Sequence, residues 1–108
     1  MLKVYNRNNH LLVRYHVPWS IRSIGRARLY WRKGRWTIDD VMIQAKHRNQ
    51  GHGTTMMKEI IEQFGAARLH VDYTNWTARR CYEKAGFTID KWYDLDMRTL
   101  YTPPAPPR

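Results

Sequence analysis

Arg48-Asn49-Gln50-Gly51-His52-Gly53-Thr54 stands between an apolar, strand-like run and an amphipathic helical pattern, and the fold turns on how it is read. A strand feeding a glycine-rich turn and then a helix aims several backbone N–H groups, and the positive end of the helix dipole, at one point. Such a point is an anion site. Gly51 and Gly53 carry no Cβ and so allow the backbone to come close to a ligand, while Arg48 adds a planar cation able to fork onto a phosphate. A pyrophosphate is the ligand that fits. A plain strand-to-helix connection is the alternative reading of the same residues, and the segments on either side decide between them.

Upstream, Arg35 to about Ala45 reads as a long strand, entered through a turn at Lys33-Gly34 from a strand over Ala27 to Trp31. Leu2 to Tyr5 and Leu11 to Val17 form a hairpin about Asn6-Arg7-Asn8-Asn9, and Pro18 ends its second strand. The N-terminal part is therefore an antiparallel meander. Downstream, Met56, Met57, Ile60, Ile61 and Phe64 recur at helical spacing with Lys58, Glu59, Glu62 and Gln63 outside, and Gly65 closes the helix. The two methionines read as core packing. Leu69, Val71 and Tyr73 alternate with His70 and Asp72 as in a strand. Asn75 caps a second helix with Ala78, Cys81, Tyr82 and Ala85 on one face and Gly86 at its stop. Thr88 to Trp92 and Leu95 to Tyr101 are the closing strands. The pattern predicts a mixed α/β, mostly antiparallel sheet of about six or seven strands with two main helices.

Two motifs in this order, Arg48-x-x-Gly51-x-Gly53 and Asn75-x-x-Ala78-x-x-x-Tyr82-x-x-x-Gly86-Phe87, resemble the signatures of the GNAT superfamily of acyl-CoA-dependent N-acetyltransferases. The resemblance covers roughly residues 36 to 100 and does not extend clearly into the first 35. It implies a GNAT-like sheet in which the strand before the phosphate loop splays from the next parallel strand, with the pantetheine arm of acetyl-CoA in the gap. Val41, Met42 and Ile43 would line the pantetheine. Arg48, Asn49, Gln50, Gly51, His52, Gly53 and Thr54 would hold the pyrophosphate, with Asn75 and Tyr82 completing the coenzyme site. Members usually insert one or two helices between their first two strands. This sequence has room there for a short loop at most, which leaves an open acceptor groove suited to a macromolecule.

The resemblance places the Tyr82 hydroxyl near the thioester sulfur, where a phenol can donate a proton to the leaving thiolate. A core tyrosine on a buried helix face is the alternative. A lysine amine, with a pKa near ~10.4, is protonated at neutral pH, so a base must take its proton. Asp39, four residues before Ile43 where many relatives carry Glu or His, is the first candidate and His70 the second. By strand alternation Asp40 points to the opposite face unless a bulge reverses the parity. Solvated charges at Asp39 and Asp40 and a packed His70 are the competing readings. Arg79 and Arg80 read either as a solvated face or as contacts to coenzyme phosphates or an acidic partner.

The 108 residues fit a single domain over 1–101 with a Pro-rich tail over 102–108, where a ligand for a proline-binding domain competes with a plain spacer. Nineteen Lys and Arg against nine Asp and Glu give a formal charge of +10, more than a coenzyme alone requires. An acidic protein surface or a nucleic acid such as tRNA is the implied second partner. A single cysteine, Cys81, excludes an internal disulfide and fits a reducing, cytoplasmic setting; its place on the apolar helix face favours packing over nucleophilic chemistry. No apolar run reaches membrane-span length, and no signal-peptide pattern is visible. His47 and His52 make a poor metal site without neighbouring thiolates or carboxylates, so no metal is expected.

The functional reading is acetyl transfer from acetyl-CoA to a primary amine, a protein lysine or N-terminal amine, without a covalent intermediate. Acetylation of an aminoacyl-tRNA or a small amine is the nearest alternative, although a cationic polyamine would be repelled. A basic nucleic-acid-binding or inhibitory module on the same scaffold is the alternative from another class. A homodimer sharing closing strands is compatible with the family.

Overall fold

A computed structural model describes residues 1–65, 67–72, 74–93 and 98–102, and side chains as far as Ile89. Tyr73, Leu95 and the Pro-rich segment 103–108 lie outside the described residues. The strands are β1 (Leu2–Asn6), β2 (Leu11–Tyr15), β3 (Gly25–Arg32), β4 (Arg35–Ile43), β5 (Ala67–Asp72), β6 (Thr88–Tyr93) and β7 (Arg98–Thr102). Helix α1 (His52–Phe64) joins β4 to β5, and α2 (Trp76–Lys84) joins β5 to β6. The described strands form a seven-stranded sheet in the order β1-β2-β3-β4-β5-β7-β6.

The meander forms where turn residues meet alternating apolar runs. β1 and β2 pair antiparallel from Leu2↔Tyr15 to Asn6↔Leu11, and the short connection between them is closed by the Arg7 N–H donating to the His10 carbonyl at 2.9 Å. The first two strands are thus joined directly, with no helix inserted. At the β3–β4 turn Lys33 (φ 52°) and Gly34 (φ 78°) both take the left-handed conformation that a tight hairpin requires. The expected strand to Ala45 is shorter in fact. β4 stops at Ile43, and Ala45–His47 form a single 3₁₀ turn.

Register and burial define two faces. Val13, Ala27, Leu29, Ile38, Leu69 and Val71 lie on one face and are buried, and α1 lies over it through Met56, Met57 and Ile60, each fully buried. Met56 comes so close to β3 that a Cβ at Gly25 would sit 3.3 Å from its Sδ. Ile61 and Phe64 pack at the edge of this core, the latter against Trp36 with ring centroids 5.9 Å apart. The amphipathic pattern therefore identified the buried stripe of α1 correctly. Burying a side chain of this size stabilises by about 1.5–3 kcal/mol, so this stripe holds the helix on the sheet.

Two irregularities shape the site. Between Arg26↔Met42 and Arg28↔Asp39 one residue of β3, Ala27, faces two of β4, Asp40 and Val41, which is a β-bulge. Asp40 takes φ 51°, and its carboxylate accepts from Arg28 Nη1 at 2.6 Å and Arg26 Nε at 3.2 Å. The bulge breaks the alternation, so Asp40 joins Asp39 on the face bearing Arg26 and Arg28. The second irregularity is a fork. β4 and β5 run parallel but pair only through Trp36↔Ala67, Thr37↔Arg68 and Ile38↔Leu69. Beyond those pairs the two strands part, and their edges carry backbone groups with no partner in each other.

Candidate active site

The backbone between β4 and α1 is built for a negative charge. Asn49 (φ 62°) and Gly51 (φ 84°) are both left-handed, turning the chain twice within three residues. Gly51 is the N-cap of α1 and supplies no side-chain cap, and the first turn contains no acidic residue. The first intrahelical bond there is Thr55 N–H to the Gly51 carbonyl at 3.1 Å, so the N–H groups of His52, Gly53 and Thr54 precede the ladder. These orphan donors and the helix dipole converge at the turn.

The two glycines serve different ends. At Gly51 an added Cβ would meet nothing within 4 Å, so its requirement is the positive φ. At Gly53 a Cβ would lie 2.9 Å from Cys81 Sγ and 3.7 Å from Ile43 Cγ1, so this position lets α1 approach α2 and the end of β4. Arg48 donates through Nε to the Ile43 carbonyl at 2.8 Å, tying the loop to the last residue of β4. Gln50 turns back to the Lys46 carbonyl at 3.4 Å.

α2 supplies the opposite wall. Asp72 Oδ1 accepts from the Thr74 N–H at 3.0 Å and its hydroxyl at 2.7 Å, turning the chain out of β5. Asn75 Oδ1 then caps the helix by accepting from the Ala78 N–H at 3.2 Å, as the sequence predicts. After Lys84, Gly86 (φ 99°) reverses the chain and the Phe87 N–H donates to the Tyr82 carbonyl at 3.0 Å. Phe87 is buried and holds the Tyr82 ring edge-on, with centroids 6.2 Å apart.

Between these walls lies an open cleft of about 820 Å³. Val41, Met42 and Ile43 line it from β4, and Arg48, Asn49, Gly51, His52, Gly53 and Thr54 from the loop and α1. Asn75 and Tyr82 line it from α2. Of the coenzyme residues predicted from sequence, Gln50 alone is outside the lining. Tyr82 is buried, 7% exposed, yet contributes to the cleft wall. Asp39 and His70 do not line the cleft. They are the residues directly after the last parallel pair, Ile38↔Leu69, and so lie at the apex of the fork on the same face. Asp39 is exposed, and its Oδ1 accepts the Asp40 N–H at 2.8 Å.

The cleft also contains residues that the motifs did not mark. Trp76, Thr77, Arg80, Cys81 and Lys84 line it from α2, and His47 from the 3₁₀ turn. The one-turn spacing of Trp76, Arg80 and Lys84 was the available signal. Arg80 and Lys84 add positive charge to the wall facing the helix N-terminus. Arg79 is not on a solvated face and does not line the cleft. It is buried, with its guanidinium 4.5 Å from the centroid of the Trp76 ring. Cys81 is half-buried and accepts weakly from the Thr54 hydroxyl at 3.8 Å. Burial pushes its thiol above the ordinary range, against opposing pulls from that hydroxyl and from Lys84, so it stays protonated at neutral pH. Among the described residues no group of three metal-ligating side chains occurs.

A model of the acetyltransferase (GNAT) family matches residues 5–87. The chain belongs to this family. Solved structures with the same fold include a spermidine N-acetyltransferase from Vibrio cholerae in complex with CoA and spermine, at TM-score 0.70 and 15% identity over 88% of this chain and 64% of that one. A putative streptothricin acetyltransferase from Bacillus anthracis, in complex with acetyl coenzyme A, aligns at TM-score 0.71 and 19% identity over 90% of this chain and 64% of that one. The ribosomal-protein-S18-alanine N-acetyltransferase from Escherichia coli aligns at 0.70 and 15% over 92% and 71%. This GNAT chain therefore spans about two thirds of the length of such relatives. No curated protein matches its sequence. Among the described residues no helix is long and apolar enough to cross a membrane.

Proposed function

We propose that this chain is an acetyl-CoA-dependent N-acetyltransferase acting on a primary amine, with a protein lysine or N-terminal amine as the acceptor. One observation carries the reading: the cleft places the uncapped N-terminus of α1 on one wall and Tyr82 on the other, beside a fork whose strand edges lack partners. The first feature suits the diphosphate, the second the thioester and the third the amide groups of pantetheine, which can complete the broken ladder.

In the proposed reaction the amine nitrogen attacks the thioester carbonyl carbon, the C–S bond breaks, and the thiolate takes its proton from the Tyr82 hydroxyl. Starting from the ammonium form the nitrogen loses two protons, one before attack and one as the C–S bond breaks; one is released to solvent and the other returns to the Tyr82 oxygen. Asp39 and His70 are the candidate bases, each acting through water, because both stand at the fork apex and neither lines the cleft. The direct connection of β1 to β2 leaves the acceptor side uncovered by inserted helices, which supports a macromolecular acceptor. A polyamine is disfavoured by the +10 charge.

Tyr82→Phe is expected to lower kcat by about 100-fold or more while leaving acetyl-CoA affinity unchanged, as for loss of a general acid. Unchanged turnover would remove Tyr82 from the chemistry. Cell extract incubated with the protein and isotope-labelled acetyl-CoA, followed by mass spectrometry, identifies the acceptor. Label on protein lysines or N-termini supports the reading, and label confined to aminoacyl-tRNA or small amines contradicts it.

A further inference from the structure

The sheet face opposite α1 carries a charge arrangement that the cleft does not use. Lys3 on β1 stands directly opposite Arg14 on β2, and Arg14 directly opposite Arg26 on β3. Three cations thus form one row across three strands spaced about 4.8 Å apart. Arg32 and Arg35 form a second like-charged pair across the β3–β4 ladder. Like charges directly opposite one another destabilise a sheet. Among the described residues the acidic ones on this face are Asp39, Asp40 and, at the end of β5, Asp72, and the Asp40 carboxylate is shared between Arg26 and Arg28. Lys3, Arg14, Arg32 and Arg35 are exposed, and none of them lines the cleft.

Aromatic rings stand among these cations. Arg7 and Arg14 each place a guanidinium within 6 Å of the Tyr5 ring centroid, at 5.6 and 5.9 Å, and Arg32 lies 4.7 Å from that of Tyr30. Tyr5 is 38% exposed on the same face.

We propose that this face binds single-stranded RNA, with the cation rows along the phosphates and Tyr5 as a stacking platform for a base. A repelling row of cations costs the free protein stability and is relieved by a polyanion laid across the strands. Among the described residues no cluster of exposed large hydrophobic side chains lies on this face, as the centre of a protein interface would require. A sheet face with an exposed ring at Tyr5 suits unpaired bases, which a duplex keeps stacked inside. The side chains offered are nearly all donors, and RNA adds a 2′-hydroxyl acceptor at every nucleotide to its phosphate oxygens.

The test is fluorescence anisotropy with a labelled 20-nucleotide RNA of mixed sequence, titrated with the full chain from 50 to 300 mM KCl. The triple variant Lys3→Gln/Arg14→Gln/Arg32→Gln is expected to bind at least about 10-fold more weakly at 100 mM KCl. Its log–log salt slope should be shallower by about 2, near 0.7 for each lost phosphate contact. Its melting temperature should equal or exceed that of the parent, because like-charge repulsion is removed, and this separates lost binding from lost folding. Tyr5→Ala should weaken RNA by about 10-fold with the salt slope unchanged, and Tyr5→Phe should restore it. Absence of saturable RNA binding at 100 mM KCl, parental binding by the triple variant, tighter binding of DNA of the same sequence, or equal competition by polyglutamate would each overturn the proposal. Acetyl-CoA affinity, measured alongside, reports on the cleft independently.

Discussion

Gly53 shows why a motif residue need not act through its ligand. Sequence reasoning assigned both glycines of the loop to close approach by an anion, and at Gly51 the positive φ is consistent with a turn that only glycine makes without strain. At Gly53 the neighbour is Cys81 Sγ. Gly53→Ala should therefore destabilise the fold by about 1–3 kcal/mol through overpacking. Adding Cys81→Ala should recover most of the loss, as urea unfolding of the four proteins in the cycle would show. Additive effects of the two substitutions would mean that the helices do not meet at this point. Contacts of this kind were illegible in the sequence, because they depend on how two helices cross rather than on either helix alone. Arg79 is a similar case: its charge left open a solvated face or a contact to phosphates or an acidic partner, whereas the adjacent Trp76 ring allows its guanidinium to stack against the helix surface.

At the scale of elements, the strand before the loop does more than deliver the chain to α1. Its bulge at Asp40 and Val41 shifts the parity, so that Val41 and Ile43 turn towards the α1 side while Asp39 and Asp40 share the other face. Period-two alternation predicts the face of each residue only while the ladder is regular, and the sequence marks a bulge weakly. Here the mark was the Asp pair, since Asp tolerates left-handed backbone better than most residues. Asp40→Val should cost about 1–3 kcal/mol, mainly through backbone strain, because the paired charges are partly exposed and contribute little. Asp40→Gly should stay within about 1 kcal/mol of the parent, as read by thermal or urea melts. If the two variants are equally unstable, the arginine pairing rather than the backbone governs this position. The helices, by contrast, were legible almost to the residue. α1 has its stripe of Met56, Met57 and Ile60 and a glycine stop, and α2 has Asn75 as a working cap.

Across the whole molecule, the helices and most of the cleft lie on one side of the sheet, while the cationic rows lie on the other, the side that Asp39 and His70 share at the fork. Apolar residues of both helices fill the first side. The sequence revealed the excess of charge but not its location, because strand register decides which cations become neighbours. It marked the candidate site through two loose motifs whose residues are brought onto facing walls by the parallel crossover β4-α1-β5 and the turn into α2. The fork explains how so short a chain can offer a long ligand a groove. Two parallel strands that stop pairing after three residues expose donors and acceptors that would otherwise be internal. The central claim, that this groove and the N-terminus of α1 grip an acyl-CoA through its diphosphate, is open to direct measurement by calorimetry with acetyl-CoA and with acetyl-pantetheine. The account predicts one acetyl-CoA per chain and affinity at least about 100-fold weaker for the pantetheine compound, which lacks the charges that the helix terminus and Arg80 would meet. No saturable heat from acetyl-CoA with folded protein, or equal affinity for the two compounds, would contradict it.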